Sequence, residues 1–111
     1  MFQLNFSEIA PFPFSDTPKI VAAMLEQSDE LMKIHHNLAK YFRAFGISIE
    51  RRRFTPHVTL GRLKFRSRKS LTFQSQQIFL EGISEKVVIF GSNLTAKGAV
   101  YNSLREISLL F

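Results

Sequence analysis

With 111 residues, fifteen Lys or Arg against nine Asp or Glu and a net charge of +6, the chain is a basic protein of single-domain size, large enough to bury a core but of modest stability. The absence of cysteine excludes disulfides and thiolate metal centres, and twelve phenylalanines with no tryptophan point to a mixed aromatic and aliphatic core. No stretch approaches the roughly 20 apolar residues of a membrane-spanning helix, and Met1 leads at once into strand-like sequence without a charged and apolar leader, so the expectation is one cytoplasmic domain over residues 1–111.

In chain order, Phe2, Leu4 and Phe6 alternate with Gln3, Asn5 and Ser7, the pattern of a strand with one buried face. The chain thus begins inside an element, consistent with a fragment of something longer. The prolines of Ala10–Pro18 predict a loop, in which Phe12 and Phe14 pack over the sheet in preference to lining a cleft. Ile20–Leu25 reads as a short buried strand, with a helical alternative left open by Ala22, Ala23 and Met24. From Ser28 the period becomes helical. Leu31, Ile34, Leu38, Phe42 and Phe45 form one apolar stripe; Ser28 or Gln27 starts it, Asp29 and Glu30 suit its positive end, and Gly46 stops it. His35 borders the stripe and His36 faces solvent, both as ordinary helix-surface residues, since no third ligand stands at a suitable helical spacing.

Ile47 and Ile49 predict a strand running into the basic Arg51, Arg52 and Arg53, with Pro56 at the start of the next strand. The Phe65–Ser70 segment predicts a cationic loop, either a solvated turn or a contact to a phosphate backbone. Leu71–Ile83 has no decisive period. Lys86–Phe90 reads as a central strand, Ser92–Ala99 as a turn or longer hairpin loop, and Ile107, Leu109 and Phe111 as a last strand. The sum is an α+β fold, an antiparallel sheet packed with one long helix and room for a second short one.

The chemistry concentrates in Arg53–Lys64. In an extended strand His57 and Thr59 point one way while Val58 and Leu60 point the other, into a core. The apolar phase then slips from even positions to the odd Leu63 and Phe65, and a bulge near Gly61 explains the slip. It also moves Arg62 onto the face of Thr59 and Lys64, so His57, Thr59 and Arg62 are expected to face one pocket. A histidine titrates near neutrality, a hydroxyl donates to an oxyanion and a guanidinium forks onto phosphate oxygens, which makes phosphoester chemistry the natural use of the trio. From Arg51 to Leu80 eight Lys or Arg residues stand with no Asp or Glu, a local cationic field that favours a polyanionic partner.

The segment Phe54-Thr55-Pro56-His57-Val58-Thr59-Leu60-Gly61-Arg62 resembles the second His-x-Thr-x signature of the 2H phosphoesterases, in particular the 2′-5′ RNA ligase and RNA 2′,3′-cyclic phosphodiesterase branch. The helix ending at Gly46, the Ser92-Asn93-Leu94 stretch and the Gly98-Ala99-Val100-Tyr101 stretch are similar to segments that flank the motif in that family. Members of the family carry two such motifs in two pseudo-symmetric lobes, whereas this chain has one, and His35 and His36, followed by Asn37 and Leu38, do not supply the other. The resemblance therefore implies the C-terminal lobe, or slightly more, of a protein about twice as long.

It also implies a mechanism. Two histidines flank a phosphodiester or cyclic phosphate, one taking a proton from the attacking water or hydroxyl and the other giving one to the leaving ribose oxygen, with no metal or other cofactor required. In this chain His57 would be one general acid or base, Thr59 a phosphate donor and Arg62 an electrostatic clamp, with Arg53 and Lys64 placed to track RNA. Three arrangements follow: a half-site that needs a missing N-terminal lobe, a homodimer whose two-fold axis brings two copies of His57 together, or a non-catalytic basic module that binds RNA or a nucleotide phosphate.

Overall fold

The computed structural model describes residues 1–15, 17–49, 53–64 and 74–109. Their elements run β1 (Phe2–Phe12), β2 (Ile20–Leu25), α1 (Asp29–Ala44), β3 (His57–Arg62), β4 (Gln76–Ser84), β5 (Lys86–Thr95) and β6 (Gly98–Ser108). They form a four-stranded sheet in the order β3-β2-β1-β4 and a separate β5-β6 hairpin. The β1–β2, β2–β3 and β5–β6 pairs are antiparallel. The architecture is therefore antiparallel sheet with one helix among the described residues, as the periodicity predicts. No helix among them is long and apolar enough to cross a membrane.

The chain divides into two compact units, one of Asn5–Glu81 and one of Met1–Leu4 with Gly82–Phe111. The first holds β2, α1, β3 and most of β1 and β4. Its core is a small cluster of buried Ala10, Ala22 and Met24, against which the half-buried Phe12 and Ile20 pack. Register explains the cluster: Ala10 lies opposite Ala22, Phe12 opposite Ile20 and Glu8 opposite Met24, and residues directly opposite in an antiparallel pair project from the same face. Ile20–Leu25 is thus a strand. β1 runs on through Ala10, Pro11 and Phe12, which the prolines had suggested were loop; Pro11 is accommodated in the strand and Ala10 is fully buried. Phe12 packs on the cluster as expected, but Phe14 is exposed.

The helix begins and ends where its capping residues dictate. The Ser28 hydroxyl accepts from the Leu31 N–H at 3.2 Å, and Asp29 and Glu30 sit in the first turn. At the other end Gly46 has φ +82, with Gly46 N–H donating to the Arg43 carbonyl and Ile47 N–H to the Phe42 carbonyl, both at 3.0 Å. This paired pattern is a Schellman stop, which needs a left-handed residue at the glycine position. The stop absorbs Ile47, so the strand expected at Ile47 and Ile49 does not form there. Leu31, Ile34, Leu38 and Phe42 are half-buried and Ala39 is buried, whereas Phe45, the C-cap, is exposed and lies outside the stripe.

The second unit is dominated by the hairpin. The turn is only Ala96-Lys97, not the whole Ser92–Ala99 stretch: Thr95 pairs with Gly98, the Thr95 hydroxyl donates to the Gly98 carbonyl at 2.7 Å, and Gly98 has φ +114. Lys86–Phe90 is one arm of this two-stranded ribbon and not a central strand; Phe90 is exposed. A bulge between Ile89 and Phe90 leaves Leu104 as the extra residue of β6, with its side chain over Gly91. Within the same unit the Met1 amino group donates to the Leu109 carbonyl. Ile107 lies within β6, Leu109 just beyond it, and Phe111 lies outside the described residues, as do Arg51, Arg52 and the Phe65–Ser70 segment. Gln76–Ser84, for which the sequence gives no period, is β4.

Candidate active site

The register of β3 on β2 decides which side chains of the motif share a face. His57 lies opposite Met24, Val58 opposite Ala23, Thr59 opposite Ala22, Gly61 opposite Val21 and Arg62 opposite Ile20. Leu60 has no partner, so the bulge predicted near Gly61 is present and sits at Leu60. Its effect is to hold Arg62 in phase with Thr59. His57, Thr59 and Arg62 project with Met24, Ala22 and Ile20 from the face that carries Phe12 and Ala10, and all three are exposed.

The expectation that Val58 and Leu60 are buried on the opposite side is not met. Val58 is 47% and Leu60 57% exposed. Among the described residues β3 lies at the edge of the sheet with a neighbour on one side only, and Leu60 is the bulge residue left out of the β2 register. Arg53, just before the motif, and Lys64, just after it, are also exposed and lie outside the paired strand. Among the described residues the Lys86–Glu106 ion pair on the hairpin involves neither them nor Arg62.

The imidazole of His57 is held at two points. Its Nδ1 lies 2.8 Å from the Thr55 carbonyl oxygen. A carbonyl can only accept, so Nδ1–H is the donor and the neutral ring presents its lone pair at Nε2. One face of the ring meets Phe12, with centroids 4.5 Å apart and planes at 34°. Phe12 and His57 are on strands separated by β2, and the position between them is Ala22, which is too small to keep the rings apart.

The carbonyl that orients His57 is itself positioned from several sides. Thr55 precedes Pro56, which biases it to extended backbone, and the Pro56 carbonyl accepts from Leu25 N–H at 3.1 Å, docking the segment on β2. The Phe54 carbonyl accepts from Gln27 Nε2 at 3.2 Å, and the Phe54 ring stacks on His35 with centroids 4.2 Å apart and planes at 2°. His35 is thus a helix residue with a packing role, and Phe54, Gln27 and Phe12 are contributors that the motif does not reveal. The signal for Thr55 was present in the Thr55-Pro56 dipeptide; the Phe12 contact has no signature in sequence spacing.

Known proteins resemble this chain over most of its length. The family model described as LigT like Phosphoesterase matches residues 22–101. The RNA 2′,3′-cyclic phosphodiesterase of Thermotoga maritima is 30% identical over 92 residues, covering 81% of this chain and 49% of that protein. The crystal structure of TT0787 of Thermus thermophilus superposes with a TM-score of 0.75 at 25% identity, over 97% of this chain and 60% of the other. The chain therefore spans about half the length of the curated relative it matches. The match covers α1, the His57–Arg62 strand and most of the hairpin, and the chain belongs to the LigT-like phosphoesterase family of the 2H phosphoesterase superfamily.

Proposed function

We propose that the chain carries one half of a site that opens 2′,3′-cyclic phosphates at RNA ends, or joins and cleaves 2′-5′ linkages by the same chemistry. His57 acts through Nε2 as one general acid or base. Thr59 donates its hydroxyl to a non-bridging phosphate oxygen, and Arg62 forks onto the phosphate. In ring opening, a water oxygen bonds to phosphorus as one P–O bond to the ribose breaks; one imidazole takes the water proton and a second gives a proton to the departing ribose oxygen. The two imidazoles supply both transfers, so the proton chemistry requires no metal. Arg53 and Lys64 flank the strand and track the RNA backbone.

The observation that carries this reading is the register that sets His57, Thr59 and Arg62 opposite Met24, Ala22 and Ile20 on one sheet face. The Nδ1 contact to the Thr55 carbonyl supports it further, because it leaves Nε2 as the nitrogen available to a ligand. The sequence holds one His-x-Thr-x motif, and each general acid or base is worth roughly 10²- to 10⁴-fold. The chain alone is therefore a weak catalyst unless a second copy or a separate lobe brings the other histidine.

The test is hydrolysis of a nucleoside 2′,3′-cyclic phosphate by the purified chain in chelator, over a protein concentration series, beside His57→Ala. Turnover that rises more than linearly with protein and vanishes in the variant identifies a paired site built by two copies. Linear turnover that vanishes identifies a weak half-site. No turnover at any concentration, with RNA binding that weakens steeply with salt and ignores His57→Ala, sinks the enzymatic reading and leaves a basic RNA-binding module.

A further inference from the structure

The aromatic contacts at His57 do not end at Phe12. Phe12 also meets Phe14, with ring centroids 5.7 Å apart and planes at 86°. Phe12 is half-buried against the Ala10, Ala22 and Met24 cluster, but Phe14 is 64% exposed. The other described aromatic contacts between exposed rings are local: Tyr41 and Phe45 meet on the helix, and Phe90 and Tyr101 on the hairpin. Among the described residues Phe14 is the exposed phenylalanine whose ring contacts lead to the imidazole of the proposed site.

The turn that carries it is well tied. Ser15 N–H donates to the Pro13 carbonyl at 2.9 Å, Thr17 N–H to the Ser15 hydroxyl at 3.2 Å, and Lys19 N–H to the Phe12 carbonyl at 3.0 Å. Leu63 N–H, directly after β3, donates to the Lys19 carbonyl at 2.9 Å, which links the turn to the far end of the motif strand. An aromatic ring held open to solvent on such a turn loses little freedom when a flat partner stacks on it.

We infer that Phe14 is a stacking platform for a nucleobase, so that the ligand of this face is a nucleotide and not a simple phosphate. The inference rests on the reading of His57, Thr59 and Arg62 as a phosphate site. A nucleoside phosphate holds its base one ribose away from the phosphorus, and two ring contacts separate Phe14 from His57. Every base offers a π-face, so the platform tolerates any sequence and favours nucleotides as a class. It also gives Phe14 a role that core packing does not.

The experiment is titration of the chain with adenosine 2′-monophosphate, cytidine 2′-monophosphate and inorganic phosphate, for the unsubstituted chain and for Phe14→Ala, Phe14→Tyr and Arg62→Ala. Stacking predicts that Phe14→Ala weakens both nucleotides by about five- to 150-fold, leaves inorganic phosphate unchanged, and is rescued by Phe14→Tyr. Phe14 and Arg62 are both exposed and neither belongs to the buried cluster, which Phe14 meets only through Phe12. Nucleotide affinity that ignores Phe14→Ala but is lost in Arg62→Ala overturns the platform and leaves the phosphate site standing. Failure of both nucleotides and phosphate to bind overturns the platform and the proposed function together.

Discussion

His57 and Phe12 lie with ring centroids 4.5 Å apart although β2 runs between their strands, and the residue between them is the fully buried Ala22. Phe12 pairs with Ile20 and His57 with Met24, two positions to either side of that alanine, so the rings meet on a diagonal that crosses it. A larger side chain at position 22 would stand where the rings meet.

Ala22→Leu should therefore lower stability by about 1–3 kcal/mol, the usual cost of overpacking, and should separate the two rings. Urea unfolding reads the first effect, and the ring-current shift of the His57 protons reads the second. Ala23→Leu is the control: Ala23 is also buried but pairs with Val58 on the opposite face. It should destabilise without moving the His57 resonances, and equal movement in both variants would show that Ala22 has no special place.

The second prediction concerns the hydrogen bond from His57 Nδ1–H to the Thr55 carbonyl. Gln27 and His35 hold Phe54, the residue next to Thr55, by a hydrogen bond and a ring stack. Removing both in Gln27→Ala with His35→Ala should release the Thr55 carbonyl and shift His57 from the Nδ1–H tautomer towards a mixture, seen in the imidazole ¹⁵N shifts. His35→Phe alone keeps a stacking ring and should keep the tautomer. An unchanged tautomer in the double variant would leave Pro56 and its bond to Leu25 as the whole support.

The third prediction separates Arg62 from its cationic neighbours. Arg62 is held on the site face by the β2 register, whereas Arg53 and Lys64 lie outside the paired strand. Arg62→Lys keeps the charge but loses the fork, and should weaken binding of a nucleoside 2′-monophosphate by about tenfold or more. Arg53→Ala and Lys64→Ala should instead weaken oligoribonucleotides alike across sequences and reduce the slope of log affinity against log salt by about 1 each. Full affinity in Arg62→Lys would show that Arg62 contributes charge alone.

Much of this molecule is written in short-range pattern. The helix between Ser28 and Gly46, a strand through Phe2, Leu4 and Phe6 and the bulge beside Gly61 follow from spacings of two to four residues and from capping chemistry and are found there, although Asn5 and Ser7 are as half-buried as Phe6; at Ile20–Leu25, where the pattern allowed strand or helix, the sheet decided for strand. The motif histidine, threonine and arginine were legible for the same reason, since alternation and one bulge are enough to put them on one face.

Strand order and long-range contact are a different matter, because alternation says which residues share a face and nothing about what covers that face. Val58 and Leu60 satisfy the pattern of core residues yet are exposed on β3, which lies at the sheet edge among the described residues. Lys86–Phe90 has the composition of a central strand and became half of a hairpin. The stack of Phe12 on His57 and of Phe54 on His35 join residues far apart in the chain, and they form because packing brought a small alanine and a helix turn to the right places. That the candidate residues His57, Thr59 and Arg62 share a face is thus local information, while the orientation of the His57 ring is a product of the assembled sheet and helix.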